Sequence, residues 1–492
     1  MKPFRLALVV HLILLIGLIG PQGYAAGPAT MPASRSAEVD SQRVIALTQR
    51  YFDLLKRDRF VEAEQVIGQV LALVPNNSLH LYNMACVKAR LGNIPQALDF
   101  LERAARAGFT DFVHIERDPD LAELRQADRY RQIVAQKDEY QRQHAQRIVA
   151  WLRSELGEGY LSEIDEQNKL VFVTNTDQQT LQSLRSWLVR QAASQRRMLF
   201  EHAPDQYIAV VLPSPADYRQ IVSRPGVGGF YHHSHDKRVL IVQRLGMVLT
   251  HEFTHALHAA DIEPLGQEHA VWISEGLAAM FEAAQFKGED LLPGDSFRLE
   301  AVQAAARGRR LIPLSRLVTM DQKAFTVNAV VNLTYGQSAS LLLYLYETGR
   351  LRGFYDTYKA TYDQDKSGKA ALEKVTGKKL PEIERDWRMW MMGRTPPADS
   401  TGPDGAFLGI RFGEGNDGLS VQQVIAGGPA DAAGVKVGDV VVGIDEAEVR
   451  DRYALVAALS GRRPGERIGL RLRRGEAYMD VAVVLGARPG RR

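Results

Sequence analysis

The sequence predicts a multidomain protein with an α-helical repeat block, an α+β central domain and a small, mostly-β C-terminal domain. Three observations support this. Apolar and small residues recur at a period of 34 between residues 60 and 105, as in stacked helix pairs. Strand-like runs followed by helical periodicity fill the centre, and short alternating runs broken by glycines fill the end. A chain of 492 residues is also too long for one hydrophobic core.

Composition narrows the classes of function. The chain has 61 basic and 58 acidic residues and a formal net charge of +3, which is far from the dense positive charge that nucleic-acid binding uses. We therefore expect no nucleic-acid partner. Cys86 is the single cysteine, so the chain can form no intramolecular disulfide and holds no cysteine-based metal site.

Residues 1–25 have the pattern of a signal peptide. Two basic residues precede an apolar run from Leu6 to Gly20, and Gly23 and Ala25 are the small residues that a signal peptidase reads. At 15 residues, the run is shorter than the roughly 20 that a membrane span needs. The pattern predicts export, with the periplasm as the destination, and a linker at 26–42. An uncleaved signal that anchors the protein in the membrane remains an alternative.

Residues 43–138 are predicted to form the helical repeat block. The segment from Ser78 to Gly108 resembles a tetratricopeptide repeat. Two repeats are few for a free-standing block, so we expect it either to pack on its neighbour or to have a third, degenerate helix pair at 118–134. The resemblance implies a surface that binds a protein partner, and a helical spacer is the alternative. Positions 34 apart carry similar side chains, namely Phe60 and Ile94, Ala63 and Ala97, Ile67 and Leu101, and Leu71 and Ala105.

Residues 145–395 are predicted to form the central α+β domain. Strand-like runs at 169–176 and 207–214 flank a helical pattern, and the glycine-broken run at 226–244 is typical of an edge strand or hairpin. From Leu245 onward the periodicity is mostly helical. A linker dense in Pro, Gly, Ser and Asp, at 396–404, is predicted to end the domain.

A metal-binding motif lies at the start of that helical part. The stretch "VLTHEFTHALHAAD" holds His251, Glu252 and His255 in the order His-Glu-x-x-His. Histidines four apart on a helix lie on one face and can bind one metal ion. Glu252 is placed to take a proton from a metal-bound water. A motif this short also occurs by chance, so the prediction requires a third ligand.

Two residues compete for the role of third ligand. Asp261 has the spacing of the third ligand in the metzincin arrangement. That arrangement needs a glycine three residues past the second histidine to turn the chain, and this sequence has His258 at that position. On an unbroken helix Asp261 would be about 15 Å along the axis from His251, too far to share an ion. Glu275, on a second helix that returns antiparallel, could instead point at the two histidines.

The stretch around Glu275 makes the resemblance more specific. His-Glu-x-x-His followed by Trp272-x-x-Glu275-Gly276-x-Ala278 resembles the gluzincin metallopeptidases, the superfamily of thermolysin and the zinc aminopeptidases. The resemblance implies a thermolysin-like α+β domain and a catalytic Zn²⁺ held by His251, His255 and Glu275. Two histidines, one glutamate and an open fourth position are the composition of a catalytic zinc site. On this match Glu252 is the general base.

Two further residues are candidates for supporting roles. Glu282, seven residues past Glu275 and expected on the same helix face, could orient a ligand histidine, or it could be an ordinary solvated glutamate. Tyr335 resembles the tyrosine that stabilises the oxyanion in the aminopeptidase branch, and a helix-capping or core aromatic is the alternative. His232, His233 and His235 are rival donors.

Residues 405–488 resemble a PDZ domain over nearly their whole length. The resemblance is carried by Leu408-Gly409-Ile410, by a Gly-Pro-Ala turn at 428–430 and by Gly438-Asp439 ahead of a strand. In such a domain backbone N–H groups of the loop bind a peptide C-terminal carboxylate, and the peptide adds to the sheet as a strand. The resemblance therefore implies binding of protein chain ends. A PDZ fold that only packs against the peptidase is the alternative.

Together these patterns predict an exported zinc metallopeptidase that hydrolyses peptide or protein substrates. Aminopeptidases of this superfamily hold the substrate's amino group with a glutamate in a Gly-x-Met-Glu-Asn strand, and the corresponding stretch here, "GVGGFYHHSHD", lacks a glutamate. This departure favours an endopeptidase. The alternatives are a non-catalytic binding scaffold on a peptidase fold, an aminopeptidase, or a hydrolase of cell-wall amides.

Overall fold

The computed structural model describes residues 35–157, 159–221, 228–234, 238–327, 330–395, 406–415, 418–445, 447–449, 452–459 and 462–487. The predicted signal peptide, most of the first linker and the second linker lie outside these residues. The chain divides into two compact units. The first holds residues up to 181 with 204–223 and 232–240, and the second holds 182–203, 224–231 and 241–492. The division runs through the stretch predicted as the central domain.

The first unit begins with a block of helices. The first helix starts inside the stretch predicted as a linker, because "RSAEVDSQR" contains neither proline nor glycine to prevent it. Short 3-10 turns at Pro119–Leu121 and Leu124–Gln126 separate the fifth helix from the sixth. The helices are α1 (Arg35–Leu55), α2 (Phe60–Leu73), α3 (Ser78–Arg90), α4 (Ile94–Ala107), α5 (Phe112–Arg117), α6 (Asp128–Ala135) and α7 (Lys137–Leu156).

The 34-residue period of the sequence recurs in the helix starts. α2 and α4 begin 34 residues apart, at Phe60 and Ile94, and α3 and α5 begin 34 apart, at Ser78 and Phe112. α6 follows at Asp128, a further 34 past the start of α4. The small and apolar residues that recur in the sequence lie together in one apolar core. The assignment of these pairs to the tetratricopeptide family remains a prediction.

Short polar side chains cap the repeating helices. The side-chain oxygen of Asn77 accepts the backbone N–H of His80 at 3.1 Å, and Asp111 accepts that of His114 at 2.9 Å. Both satisfy N–H groups that have no partner within a helix. Because these caps recur with the period, the sequence sets the starts of α3 and α5 locally.

A five-stranded sheet follows, in the order β1-β2-β3-β5-β4. β1 pairs antiparallel with β2, and β2 pairs parallel with β3. β2 and β3 are buried along their whole length, as their continuous apolar sequences predict. The elements of this region are β1 (Leu161–Asp165), β2 (Leu170–Thr174), α8 (Gln178–Met198), β3 (Ile208–Leu212), α9 (Pro215–Ile221), β4 (Gly229–His233) and β5 (Arg238–Val242).

Most of the second unit ahead of the C-terminal domain is helical. A 3-10 turn at Glu263–Leu265 separates α10 from α11, and a short hairpin, β6 (Gln285–Lys287) and β7 (Asp290–Leu292), follows α11. The helices are α10 (Met247–Ile262), α11 (Val271–Met280), α12 (Arg298–Arg307), α13 (Leu314–Leu317), α14 (Gln322–Phe325), α15 (Val331–Glu347), α16 (Leu351–Thr361), α17 (Lys369–Thr376) and α18 (Leu380–Met392).

Helix α8 holds one face of α10 through buried amides. Gln191 donates to the carbonyl of Thr250 at 2.9 Å and to the hydroxyl of Thr254 at 3.2 Å. Gln195 donates to the same Thr254 hydroxyl at 2.8 Å, and Trp187 donates to the Thr250 hydroxyl at 3.2 Å. Directional bonds of this kind fix how far α10 can slide or rotate, which apolar packing alone would leave looser.

A buried carboxylate holds the C-terminal end of α10. Asp261 accepts the backbone N–H of His202 at 2.8 Å, the hydroxyl of Tyr355 at 2.8 Å and the ammonium of Lys359 at 3.1 Å. Burial acts to raise the pKa of Asp261, but these partners outweigh it, so the net pKa is lowered. Asp261 thus ties α10 to α16 and to the chain after α8.

The C-terminal domain is a small β structure with its own apolar core. Its main sheet has the order β14-β13-β11-β10-β9, with β12 paired to β11, and β8 pairs separately with β15. Its elements are β8 (Ala406–Phe407), β9 (Ile410–Gly415), β10 (Gly418–Val424), α19 (Pro429–Ala432), β11 (Val440–Ile444), β12 (Ala447–Glu448), α20 (Arg452–Leu459), β13 (Arg467–Arg474), β14 (Ala477–Val484) and β15 (Gly486–Ala487).

Across the part of the chain that the structure describes, none of the helices has the length and apolar character needed to cross a bilayer.

Removing Lys359 should destabilise the fold, because its loss leaves the Asp261 carboxylate buried without its cationic partner. We expect Lys359→Met to lower the free energy of unfolding by about 3 kcal/mol, measured by urea unfolding of the full chain. Because the pKa of Asp261 is lower in the folded state, its contribution is present above about pH 4 and is lost as the pH falls through the lowered value. Arg352→Met is the control, since Arg352 pairs with Asp356 and with Glu201 where the side chains are exposed and should contribute less than about 1 kcal/mol. Equal effects of the two substitutions would contradict the prediction.

Candidate metal centre

Three predicted ligands come together at one point. The Nε2 atoms of His251 and His255 are 3.1 Å apart, and Oε2 of Glu275 lies 3.5 Å from the first and 3.2 Å from the second. Donors about 2.0–2.1 Å from a tetrahedral zinc ion are about 3.3 Å apart. The three atoms therefore outline one face of a tetrahedron, and the fourth corner is left for water or substrate.

The electrostatics of this cluster fit a bound cation. Oε2 of Glu275 is buried and has no hydrogen-bond partner among the described residues, although it lies beside two ring nitrogens. Burial acts to lower the pKa of His251, but the carboxylates of Glu275 and Glu282 raise it to about 10. Burial acts to raise the pKa of Glu275, yet the two histidines lower it. A metal ion in the same place would supply the positive charge that these carboxylates favour, so the residues present fit zinc.

The second ring nitrogen of His251 is held by Glu282. Nδ1 of His251 lies 3.0 Å from Oε1 of Glu282. Burial acts to raise the pKa of Glu282, but Arg298 and the bond from His251 lower it, so the carboxylate accepts and Nδ1–H donates. With Nδ1–H held in this way, Nε2 is the nitrogen that can give up its proton and bind a metal. The spacing predicted that Glu282 shares a helix face with Glu275. In the structure α11 ends at Met280 and Glu282 lies in the turn that follows, so the two residues do not share a helix face.

His255 has a different partner on its second nitrogen. The hydroxyl of Ser274 lies 3.3 Å from Nδ1 of His255. Ser274 directly precedes Glu275 in α11, so one turn of that helix supplies both a candidate ligand and the group that orients another. Ser274 has no role in the predicted ligand motif, although its place next to Glu275 in the sequence is a usable signal.

The predicted general base is held by the edge strand β4. The backbone N–H of Tyr231 donates to Oε2 of Glu252 at 3.1 Å. This bond orients the Glu252 carboxylate beside the ligand histidines, and its negative charge adds to the raised pKa of His251. His232 and His233, the rival donors, also lie on β4, and His235 lies outside the described residues.

Tyr335 lies next to His251. The two rings are nearly parallel, with an interplanar angle of 15° and centroids 6.2 Å apart. Tyr335 reaches this position because glycines allow α15 to pack closely against α11 and α12. A Cβ on Gly276, beside Glu275, would meet Ser338 at 2.9 Å, and a Cβ on Gly336 would meet Val302 at 2.7 Å. The role of Tyr335 as an oxyanion donor remains a prediction.

His258 and Asp261 lie outside the cluster of three ligands. His258 instead pairs with His269, with 2.8 Å between Nε2 of the first and Nδ1 of the second, and burial lowers the pKa of both. Asp261 holds the end of α10. Neither residue is among the side chains that the structure brings to the candidate metal position.

The predicted carboxylate-binding loop of the C-terminal domain precedes its edge strand β9. The carbonyls of Leu408 and Gly409 accept the backbone N–H groups of Ala430 at 3.0 Å and Ile425 at 2.8 Å. Gly409 has a φ of 81°, a conformation that favours glycine. Leu408 and Ile410 point into the apolar core of the domain. The loop is therefore fixed by its backbone, and β9 offers an edge to which a peptide strand can add.

Two family models match parts of this chain. One, described as "PDZ domain", matches residues 406–485. The other, described as "Protein of unknown function (DUF1570)", matches residues 247–364. This second match begins at the first residue of α10 and contains His251, His255, Glu275 and Tyr335.

Individual relatives are similar over limited parts. A chloroplastic protein of Arabidopsis thaliana is 33% identical over 87 residues, 17% of this chain and 26% of that protein. The chain therefore spans about a quarter of the length of this curated relative. An aminopeptidase N family protein from Idiomarina loihiensis has 14% identity and a TM-score of 0.28, covering 68% of each chain. The HtrA-type protease AlgW with a decapeptide has 21% identity and a TM-score of 0.18, covering 25% of this chain and 36% of that one.

TM-scores this low do not indicate a shared overall fold, so the family models carry the assignment. Residues 406–485 are a PDZ domain, and they follow a segment that matches a family model of unknown function and contains the candidate metal centre.

Proposed function

We propose that this protein is an exported, zinc-dependent metallopeptidase that hydrolyses internal peptide bonds of protein substrates. The observation that carries the proposal is the convergence of His251, His255 and Glu275, whose donor atoms are 3.1 to 3.5 Å apart. The family model of unknown function over the same segment is compatible with it. Localisation in the periplasm rests on the signal-peptide pattern of residues 1–25.

Each residue of the centre has a role in this reaction. Zinc in the site would polarise the scissile carbonyl and lower the pKa of a water to about 7. Glu252, oriented by the Tyr231 N–H, would accept a proton from the attacking water and return it to the leaving amine. Glu282 and Ser274 hold the ligand rings, and we assign Tyr335 to the developing negative charge on the substrate oxygen.

Endopeptidase action is favoured over exopeptidase action by the residues of β4. Binding of a free substrate amino group requires a carboxylate, and β4, whose Tyr231 N–H binds Glu252, runs Gly-Phe-Tyr-His-His without one. The PDZ domain fits the same proposal, because PDZ domains bind the C-terminal ends of protein chains. We propose that it selects or presents protein substrates, and that the helical repeat block, as a tetratricopeptide-like surface, binds a protein partner.

Replacing the general base should separate metal binding from catalysis. We expect Glu252→Gln to retain one zinc per chain while cleavage of an unfolded protein falls at least about 100-fold, as loss of a general base typically does. Metal analysis and cleavage of casein measure the two effects. If wild type binds zinc but cleaves no protein, while the PDZ domain still binds chain ends, the protein is a binding scaffold and the peptidase proposal is wrong.

Zinc stoichiometry should distinguish the two acidic residues that the sequence offered as third ligand. Glu275→Gln should lower the zinc content, because a neutral amide replaces the carboxylate in a His₂Glu set. Folded Asp261→Asn should bind zinc as wild type does, since Asp261 is engaged with Tyr355 and Lys359. The reverse result would overturn the ligand assignment.

Removal of the PDZ domain should leave hydrolysis of short peptides unchanged. The domain has its own apolar core, so a protein that ends before residue 405 should cleave a short unstructured peptide at the wild-type rate and lose preference for particular chain ends. Steady-state kinetics on a peptide and on proteins with free or blocked C-termini measure this. Loss of peptide cleavage would mean that the PDZ domain is part of the catalytic fold.

A further inference from the structure

Arg298 is not part of the ligand motif, but it contacts Glu282, the residue that holds the ring of the candidate ligand His251. It is the first residue of α12, and its side chain is 4% exposed. A charged group taken so completely out of water has to be matched by opposite charge and hydrogen bonds. The partners of Arg298 therefore indicate the role of its buried charge.

Glu282 supplies the opposite charge. Nε of Arg298 donates to Oε2 of Glu282 at 2.9 Å, and Nη2 donates to Oε1 at 3.0 Å. This is a bidentate ion pair, in which the planar guanidinium binds both carboxylate oxygens. The carboxylate can then neither rotate nor change its side-chain rotamer without breaking a buried, charged hydrogen bond.

The same carboxylate oxygen joins Arg298 to the metal ligand. Oε1 of Glu282 accepts from Nη2 of Arg298 and also from Nδ1 of His251, each at 3.0 Å. The direction of the His251 ring, and with it the position of Nε2, therefore depends on where the guanidinium holds Glu282.

Other contacts keep the guanidinium itself in place. Its Nη1 donates to Oδ1 of Asn332 at 3.2 Å. Its central carbon lies 4.9 Å from the ring centre of Phe297 and 5.1 Å from that of Tyr335, within the range of cation–π attraction. Arg298 is thus held by Phe297 and by two residues of α15 as well as by Glu282.

We propose that Arg298 is a positioning residue for the metal centre, which acts through Glu282 to set the ring of His251 for zinc. This inference rests on the proposed zinc site but not on the peptidase reaction. A buried ion pair that only stabilised the fold would affect unfolding and leave the zinc affinity of the folded protein unchanged.

Zinc affinity of the full-length protein, measured by competition with a chromophoric chelator, tests the proposal. We expect Arg298→Met to weaken zinc binding by about 10-fold or more, the range seen when groups behind a metal ligand are lost. Arg298→Lys keeps the charge but cannot hold both oxygens, so it should also weaken binding. It provides the test if the methionine variant does not fold.

A double-substitution cycle shows whether Arg298 acts through Glu282. Once Glu282→Gln has removed the carboxylate, adding Arg298→Met should weaken zinc binding little further, because the two residues act as one unit. Arg394→Met is the matched control. Arg394 also holds a carboxylate with its guanidinium, at 2.7 and 2.8 Å from Asp295, and lies over the ring of Trp390, but it does not contact Glu282 or the ligands.

The outcomes separate this proposal from the peptidase proposal. Wild-type zinc affinity in a folded Arg298 variant, additive effects in the cycle, or equal weakening by Arg394→Met would overturn the role of Arg298. A wild-type protein that binds zinc but cleaves no protein would remove the peptidase proposal and leave the affinity series intact. A wild type that binds no zinc would remove both.

Discussion

The central constraint in the second unit is the short distance between three electron-rich atoms of largely buried side chains. The Nε2 atoms of two histidines and a carboxylate oxygen of Glu275 lie within 3.5 Å of each other. Such an arrangement is unfavourable unless a positive charge lies between the atoms. A proton on His251 provides it in part, and a divalent metal ion provides it fully. The surrounding helices hold the three atoms at these distances.

Helix α10 is accordingly held at more than one point along its length. The amides of Gln191 and Gln195 hold its middle through two threonines, and Asp261 ties its end to Tyr355 and Lys359. These bonds are buried and directional, so they define the helix position more closely than apolar contact alone. The histidines are placed by α10, and the groups that contact their second ring nitrogens come from α11 and the turn that follows it. A network of this kind gives the preorganisation that metal chemistry requires.

The other parts of the chain have separate cores, which agrees with modular function. The helical block buries its repeating small and apolar residues in one cluster, and the PDZ domain buries another. The packing of each of these two clusters is therefore separate from the packing around the candidate metal centre. In the PDZ domain, the predicted carboxylate-binding loop is held by backbone bonds and leads directly into an edge strand, an arrangement that in PDZ domains binds a peptide chain end mainly through its backbone.

The sequence by itself determined what depends on local spacing. The four-residue interval puts His251 and His255 on one face, a 34-residue period sets the helix starts, and turn glycines mark the PDZ domain. The tertiary structure decided which distant groups meet. Glu282 reaches His251 from beyond the end of α11, and Arg298 reaches Glu282 from α12. No fixed spacing links these residues, because loops and helix packing set their separation. The sequence pattern therefore offered Glu282 only as a candidate to orient a ligand histidine, and it offered no contact for Arg298.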